Sequence, residues 1–107
     1  MEIILHAHHA EVSDTLRAQA QAAVERIASR LKRVANAIVR FVGDGPTRRV
    51  EIVLRAGSQG ELFAHADARA FAPALSAAVQ RLESQVSRAR RTRRAPRVER
   101  RSGDLSE

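Results

Sequence analysis

Residues 36–67, NAIVRFVGDGPTRRVEIVLRAGSQGELFAHAD, decide the fold of this chain. β-Branched and aromatic residues fill 36–42, apolar and polar residues alternate over 48–55, and a third short run alternates over 61–67. Glycine-rich stretches, the first at 43–46, separate the three runs. Alternation with period 2 is typical of strands with one buried face, and such glycine-rich stretches are typical of turns. The sequence therefore predicts an antiparallel meander of three strands.

A strand and a helix precede the meander, and a second helix follows it. Residues 2–8 alternate and predict the strand. Ser13 is a good N-cap for a helix that we expect to end near Arg33, and the last helix begins near Phe71 or Ala72. Apolar residues recur at helical spacing in both helices. They are Leu16, Ala20, Ala23, Val24, Ile27 and Leu31 in the first, and Leu75, Ala78, Val79, Leu82, Val86 and Ala89 in the second.

The element order βαβββα predicts an α+β fold. A right-handed crossover makes the first two strands parallel neighbours, and the short turns make the last three an antiparallel meander. We therefore expect a four-stranded mixed sheet of order 1-2-3-4 with two helices packed on one face. Residues 1–94 are predicted to form a single domain, and residues 95–107, which begin with Ala-Pro, a disordered charged tail.

Length and composition narrow the class of protein. A chain of 107 residues builds one core, and 20 of its apolar residues are alanine, which predicts helices lying close on the sheet. The absence of cysteine excludes disulfides and cysteine-zinc sites. No apolar run approaches a membrane span, and no basic and apolar leader opens the sequence. We therefore expect a cytoplasmic protein without a membrane partner.

The charge is basic and uneven. The net charge is +7, of which residues 1–87 carry +2 and residues 88–107 carry +5. A run of arginines repels itself unless a polyanion neutralises it, and nucleic acid is the usual polyanion. The alternative is a charged terminus that only improves solubility.

Arginines on both helices are the candidate RNA-binding residues. Arg81 and Arg88 are two helical turns apart and therefore share a face of the last helix. Such contacts to phosphates fix position without selecting a base sequence. The predicted set is Arg26, Arg30, Arg33, Arg81, Arg88, Arg90, Arg91 and Arg94. The alternative is that these side chains serve solubility and i,i+4 pairing, as between Glu25 and the arginines that follow it.

Metal binding and catalysis have no support in the sequence. His6 and His8 share a strand face, but His65 lies three strands away, about 14 Å at ~4.8 Å per strand. There is no cysteine nucleophile, and the glycines mark hairpins rather than a phosphate loop. We predict no metal, no cofactor, no small-molecule substrate and no enzymatic activity.

Four stretches resemble one known family. They are 12–17 (VSDTLR), 60–66 (GELFAHA), 74–75 (AL) and 81–88 (RLESQVSR). Over residues 2–91 the chain resembles the ribosome hibernation-promoting factors, which include ribosome-associated inhibitor A and were once labelled sigma-54 modulation proteins. The chain is similar to the short members of that family.

The resemblance implies a ribosome-bound inhibitor of translation. Such bacterial proteins bind the small ribosomal subunit and its 16S rRNA in the decoding region during stress or stationary phase, and they are not enzymes. We expect a monomer off the ribosome. Ala70 and Ala72 stand where the family usually has Asp and Tyr, and Ser84 and Ala23 where basic residues are common. Either the arginine-rich tail compensates for the missing charge or binding is weaker.

Two other hypotheses remain open. The chain could be a general RNA- or DNA-binding module whose affinity resides in its arginine-rich tail. It could also be an interaction protein that self-associates through the open sheet face or an edge strand, with the tail only solvated.

Overall fold

The computed structural model describes residues 1–31, 33–57 and 60–94, with side chains described as far as Arg88. The predicted tail, residues 95–107, lies outside the described residues. The order βαβββα and the α+β class are confirmed. The elements are β1 (Glu2–His8), α1 (Asp14–Ala28), β2 (Asn36–Asp44), β3 (Thr47–Arg55), β4 (Glu61–Ala68) and α2 (Phe71–Arg94).

The four strands form one sheet in the order β1-β2-β3-β4, as predicted. β1 runs parallel to β2, and the other two pairs are antiparallel. Val39 lies beside Leu5 on one side and Ile52 on the other, and Ile52 lies beside Ala64. Side chains on one strand alternate between faces, so this register places a continuous apolar row under the helices.

The core lies between that face of the sheet and the two helices. Phe41, Ile52 and Leu54 are fully buried from the sheet, and they meet Ile27 of α1 and Leu82 of α2. Each such side chain contributes about 1.5–3 kcal/mol when it leaves water. The described part of the chain buries no polar or charged residue. No helix of the described residues packs on the opposite face of the sheet.

The first helix begins as predicted and ends earlier. The hydroxyl of Ser13 accepts a hydrogen bond from the N–H of Leu16 at 3.1 Å, which makes Ser13 the N-cap. The prediction that the helix ends near Arg33 is wrong, since α1 ends at Ala28. The N–H of Leu31 donates to the carbonyl of Ala28, a tighter i−3 bond, and this turn keeps Leu31 buried without extending the helix.

Gly43 was predicted to lie in the first turn, but it belongs to β2. A Cβ on Gly43 would lie 2.4 Å from the carbonyl oxygen of His9, so the close approach of two backbones requires glycine here. The turn itself is made by Gly45 and Pro46, and Gly45 has a φ of 58°, which favours glycine.

The second helix is the longer of the two. Among its side chains that the structure describes, which end at Arg88, Val86 is the last buried one, and the helix continues to Arg94. The eight residues from 87 to 94 span about 12 Å at the helical rise of ~1.5 Å per residue. Neither helix, in the part of the chain that the structure describes, is long and apolar enough to cross a membrane.

Candidate nucleic-acid interface

A shallow groove lies between the C-terminal end of α1 and the middle of α2, and we call it the helix groove. Its volume is about 550 Å³, and it is lined by Arg30, Gln80, Glu83, Ser84, Ser87 and Arg88. Both helices run in the same direction, so the last turn of α1 lies beside the middle of α2. A hydrogen bond of 3.2 Å from Nη2 of Arg30 to the hydroxyl of Ser87 joins the two helices here.

Glu83 lies between the arginines of α1. Its Oε2 is 3.9 Å from Nη2 of Arg26 and 3.9 Å from Nη1 of Arg30. Two guanidinium groups share one carboxylate, so the trio keeps a net positive charge. Ion pairs this long and this exposed are worth about 0–1 kcal/mol. The arginines are therefore held near the groove without being fixed.

Arg33 lies at the same end of the molecule. It is exposed in the connection between α1 and β2, where it packs against the turn that follows β3. A Cβ on Gly57 of that turn would lie 3.1 Å from Cβ of Arg33. The end of α1 that precedes Arg33 is the end that meets Glu83 and Ser87 in the second half of α2.

Arg81 serves a different surface. Its Nη1 donates a hydrogen bond of 2.5 Å to the carbonyl of His65, and Nε2 of Gln85 donates one of 2.5 Å to the carbonyl of Phe63. These carbonyls lie along the outer edge of β4, where no other strand pairs among the residues that the structure describes. Arg81 is exposed, but it covers an edge strand that would otherwise be open to pairing with another chain. Arg88 instead lines the helix groove.

The three remaining candidates lie in the last turns of α2. Arg90, Arg91 and Arg94 fall within the helix, and their side chains lie outside the described residues. Arginines at a helix C-terminus also interact favourably with the helix dipole. The structure therefore groups Arg26, Arg30 and Arg88 about the helix groove, with Arg33 at the same end, and it separates Arg81 from them.

The open face of the sheet has a different electrostatic character. Arg49 forms an ion pair with Asp67 at 2.8 Å and lies 3.6 Å from Glu51. Glu51 is in turn 3.8 Å from Arg40. Arg55 forms an ion pair with Glu61 at 3.1 Å. The hydrogen bond from Arg49 lowers the pKa of the Asp67 carboxyl. The three arginines of this face are paired with acids. Five carboxylates lie on it: Glu2, Asp44, Glu51, Glu61 and Asp67.

The histidines remain apart. His6 lies beside Arg40, Arg40 beside Glu51 and Glu51 beside His65, so the two histidines occupy opposite edges of the sheet. No group of three or more metal-ligating residues occurs among residues 1–31, 33–57 and 60–94.

The sequence did not single out Glu83 or Ser87. Helical spacing assigns a residue to a face of its helix, but it does not identify the neighbour across a helix pair. The only available indication was that Glu83 and Ser87 are four residues apart and therefore lie on one face of α2.

Fold and charge together define a small α+β protein with a basic helix side and a sheet face of paired charges. The family model described as sigma 54 modulation protein / S30EA ribosomal protein matches residues 3–94. The chain belongs to this family of ribosome-associated proteins, as its resemblance had indicated.

Solved structures share the fold. A ribosomal subunit interface protein from Coxiella burnetii superposes with a TM-score of 0.74 at 16% identity, covering 85% of this chain and 99% of that one. The N-terminal domain of Protein Y from Thermus thermophilus superposes with a TM-score of 0.70 at 25% identity, covering 83% and 99%. A search of the curated proteins found no significant match.

Proposed function

We propose that this protein binds the small ribosomal subunit through its 16S rRNA near the decoding region, and so holds ribosomes inactive during stress or stationary phase. The observation that carries the proposal is the one-sided charge of a ribosome-associated fold. On the helix side Arg26 and Arg30 share the single carboxylate of Glu83, Arg88 lines the same groove, and Arg33 is exposed just after α1. On the sheet face five carboxylates outnumber three arginines. A polyanion therefore approaches the helix side.

The similar structures support this partner. The Coxiella protein is called a ribosomal subunit interface protein. The phosphates of rRNA are a polyanion that a basic surface of such a protein can bind. The Thermus structure is an N-terminal domain, which covers 83% of this chain. We propose residues 1–94 as the ribosome-binding domain and residues 95–107 as a charged tail.

The contacts that we propose are to phosphates. A guanidinium group can bind two phosphate oxygens at once, and the long pairs with Glu83 leave Arg26 and Arg30 able to turn toward a new partner. Phe41 and Phe71 are buried, so no described aromatic side chain on the helix side can stack on a base. Recognition then depends on the shape of folded rRNA and on backbone contacts.

Inhibition follows from occupancy rather than chemistry. A domain seated in the decoding region excludes mRNA and the tRNA anticodons that bind there. This mechanism needs neither a catalytic residue nor a cofactor, and its site of action is the cytoplasm. Of the remaining candidates, Arg90, Arg91 and Arg94 extend the proposed contact surface along α2, whereas Arg81 is held at the edge of β4 and is proposed to contribute less.

Two positions where the family commonly has basic residues, Ala23 and Ser84, differ in their exposure. Ala23 is only 8% exposed and packs in the core. Alanine in place of the family's basic residue therefore changes the charge of the exposed surface little at this position. Ser84 is exposed in the helix groove beside Arg88, so its serine leaves the proposed surface one charge poorer. We propose that the arginines at the end of α2 compensate for this loss.

The test compares two double variants with the same change in charge. R26Q/R30Q removes two positive charges from the helix side, and R40Q/R55Q removes two from the sheet face. Binding of each to isolated small subunits is measured across salt concentrations. We expect R26Q/R30Q to weaken binding at least roughly 10-fold and to reduce the salt slope by about 2. Equal effects of both variants would contradict the proposed surface.

A further inference from the structure

The open face of the sheet carries a continuous apolar row, one residue from each strand. Ile4 lies beside Ile38, Ile38 beside Val53, and Val53 beside Phe63. Phe63 is 47% exposed, and the other three are half-buried. Both helices pack on the opposite face, so this row contacts water. An apolar band that crosses an entire sheet differs from the scattered exposed apolar residues of an ordinary surface.

Two polar rows flank the apolar row. The first contains His6, Arg40, Glu51 and His65, and the second contains Glu2, Asn36, Arg55 and Glu61. Each row has one residue per strand, in strand order. Because successive residues on one face are two positions apart, each polar row lies about 7 Å from the apolar row.

We propose that a second copy of this chain covers the open face, related by a two-fold axis that runs along the apolar row. This rotation places the apolar rows of the two copies against each other. It also places the first polar row of each copy against the second polar row of the other copy. The resulting pairs are Glu2 with His6, Arg55 with Glu51, Glu61 with His65, and Asn36 with Arg40. Every carboxylate in these rows therefore meets a basic group.

Asn36 adds a separate argument. Its Oδ1 atom has no hydrogen-bond partner among the described residues, although it is shielded from water. Under the proposed rotation the guanidinium of Arg40 from the second copy faces Asn36. A guanidinium group donates up to five hydrogen bonds. A small rotation of the Asn36 amide therefore allows its Oδ1 atom to accept a hydrogen bond from this guanidinium.

The alternative rotation axis, parallel to the strands, is less favourable. It places Glu2 on Glu61 and so brings two carboxylates together. A nucleic acid is also a poor occupant, because the five carboxylates of this face outnumber its three arginines. An isologous contact between two copies satisfies both the apolar row and the charges.

The area of the face sets the strength of the contact. Four strands ~4.8 Å apart and three rows of residues ~7 Å apart give a patch of roughly 20 Å by 20 Å on each copy. This patch is smaller than the ~800 Å² per partner of a stable interface, so we expect a weak dimer. The monomer that we predicted from the sequence is then the state of the protein at low concentration. The helix grooves point outward on both copies, so this inference stands independently of the proposed function.

Sedimentation equilibrium across protein concentrations from about 10 μM to about 1 mM tests the proposal. F63K places a charge in the apolar row, and A22K adds the same charge at an exposed position on α1. We expect the parent chain and A22K to dimerise with similar Kd values and F63K to raise the Kd at least roughly 10-fold. A parent chain that stays monomeric at the highest concentration, or equal behaviour of F63K and A22K, would overturn the proposal.

Cysteine cross-linking tests the axis, since the chain has no native cysteine. In the proposed dimer Phe63 faces Phe63 of the second copy, so F63C alone is expected to cross-link with a short bis-maleimide. Cross-linking only in a mixture of I4C and F63C would overturn the axis along the apolar row.

Discussion

The guanidinium of Arg30 lies 3.9 Å from the carboxylate of Glu83 and donates a hydrogen bond to Ser87, 57 positions along the chain. This contact joins α1 to α2 and holds a basic group over the helix groove. It also places a carboxylate inside the surface that we propose for rRNA, and this arrangement makes Glu83 the acidic residue whose removal is most informative.

Glu83→Gln should strengthen binding to the small subunit by roughly 3-fold at low salt, because the variant removes a negative charge between Arg26 and Arg30. Its stability should change by less than about 1 kcal/mol, since the ion pairs are long and half-exposed. Fluorescence titration of labelled protein with small subunits measures the first effect. Glu61→Gln, on the sheet face, is the control and should leave binding unchanged. Weaker binding of Glu83→Gln would contradict a groove that faces phosphates.

Arg81 and Arg88 should separate stability from binding. Arg81→Met loses the hydrogen bond to the edge of β4, so we expect a loss of about 0.5–1.5 kcal/mol in the free energy of unfolding and a smaller change in binding. Arg88→Met should weaken subunit binding, because Arg88 lines the helix groove. Urea unfolding and subunit titration of both variants distinguish these roles. Binding that depends more on Arg81 than on Arg88 would argue against the groove.

Gly43→Ala should destabilise the fold. The added methyl group would lie 2.4 Å from the carbonyl oxygen of His9, which is a backbone atom and cannot turn aside, so β2 and the end of β1 must separate. We expect a loss of about 1–3 kcal/mol and a fall in Tm of about 4–8 °C for each kcal/mol. Asp44→Ala, at the next and exposed position, is the control and should change the stability by less than about 0.5 kcal/mol. Equal melting temperatures would mean that the close approach is absent.

The pair Arg49–Asp67 should make stability depend on pH in a defined direction. The hydrogen bond from Arg49 lowers the pKa of Asp67 below its ordinary value of 3.8, so the folded state binds a proton less readily than the unfolded chain. The stabilisation is therefore present above that ordinary value and is lost as the pH falls through the folded pKa. At neutral pH the Tm of Asp67→Asn should be lower than that of the parent chain. In strong acid the two Tm values should be equal. A difference that persists unchanged in acid would contradict this account.

The sheet and its inward face could be predicted because period-2 alternation identifies a strand and its buried face together. Val50, Ile52 and Leu54 are buried as their spacing indicated. The end of α1 could not be predicted, because Leu31 continues the helical spacing although the backbone has already tightened into an i−3 turn. Burial alone does not distinguish these conformations.

The basic residues of the candidate site could be found from charge, but their partners could not. Helical spacing gives the direction in which Arg81 leaves α2, whereas the edge of β4 in that direction is a tertiary relationship between residues 16 positions apart. The same holds for Glu83, whose position between two arginines depends on how the helices pack. The sequence charge identifies a basic surface. The packing of the helices and strands determines which of its arginines also form hydrogen bonds or ion pairs with other residues of the chain.

The most direct test of the central claim is sedimentation of the purified protein through sucrose with 30S subunits, 50S subunits and 70S ribosomes. The run is made at two salt concentrations with free duplex RNA as competitor. We predict stoichiometric migration with 30S and 70S particles, none with 50S, and resistance to the competitor. Migration that the competitor removes, or equal migration with 50S, would contradict specific binding to the small subunit and would favour a general polyanion-binding tail.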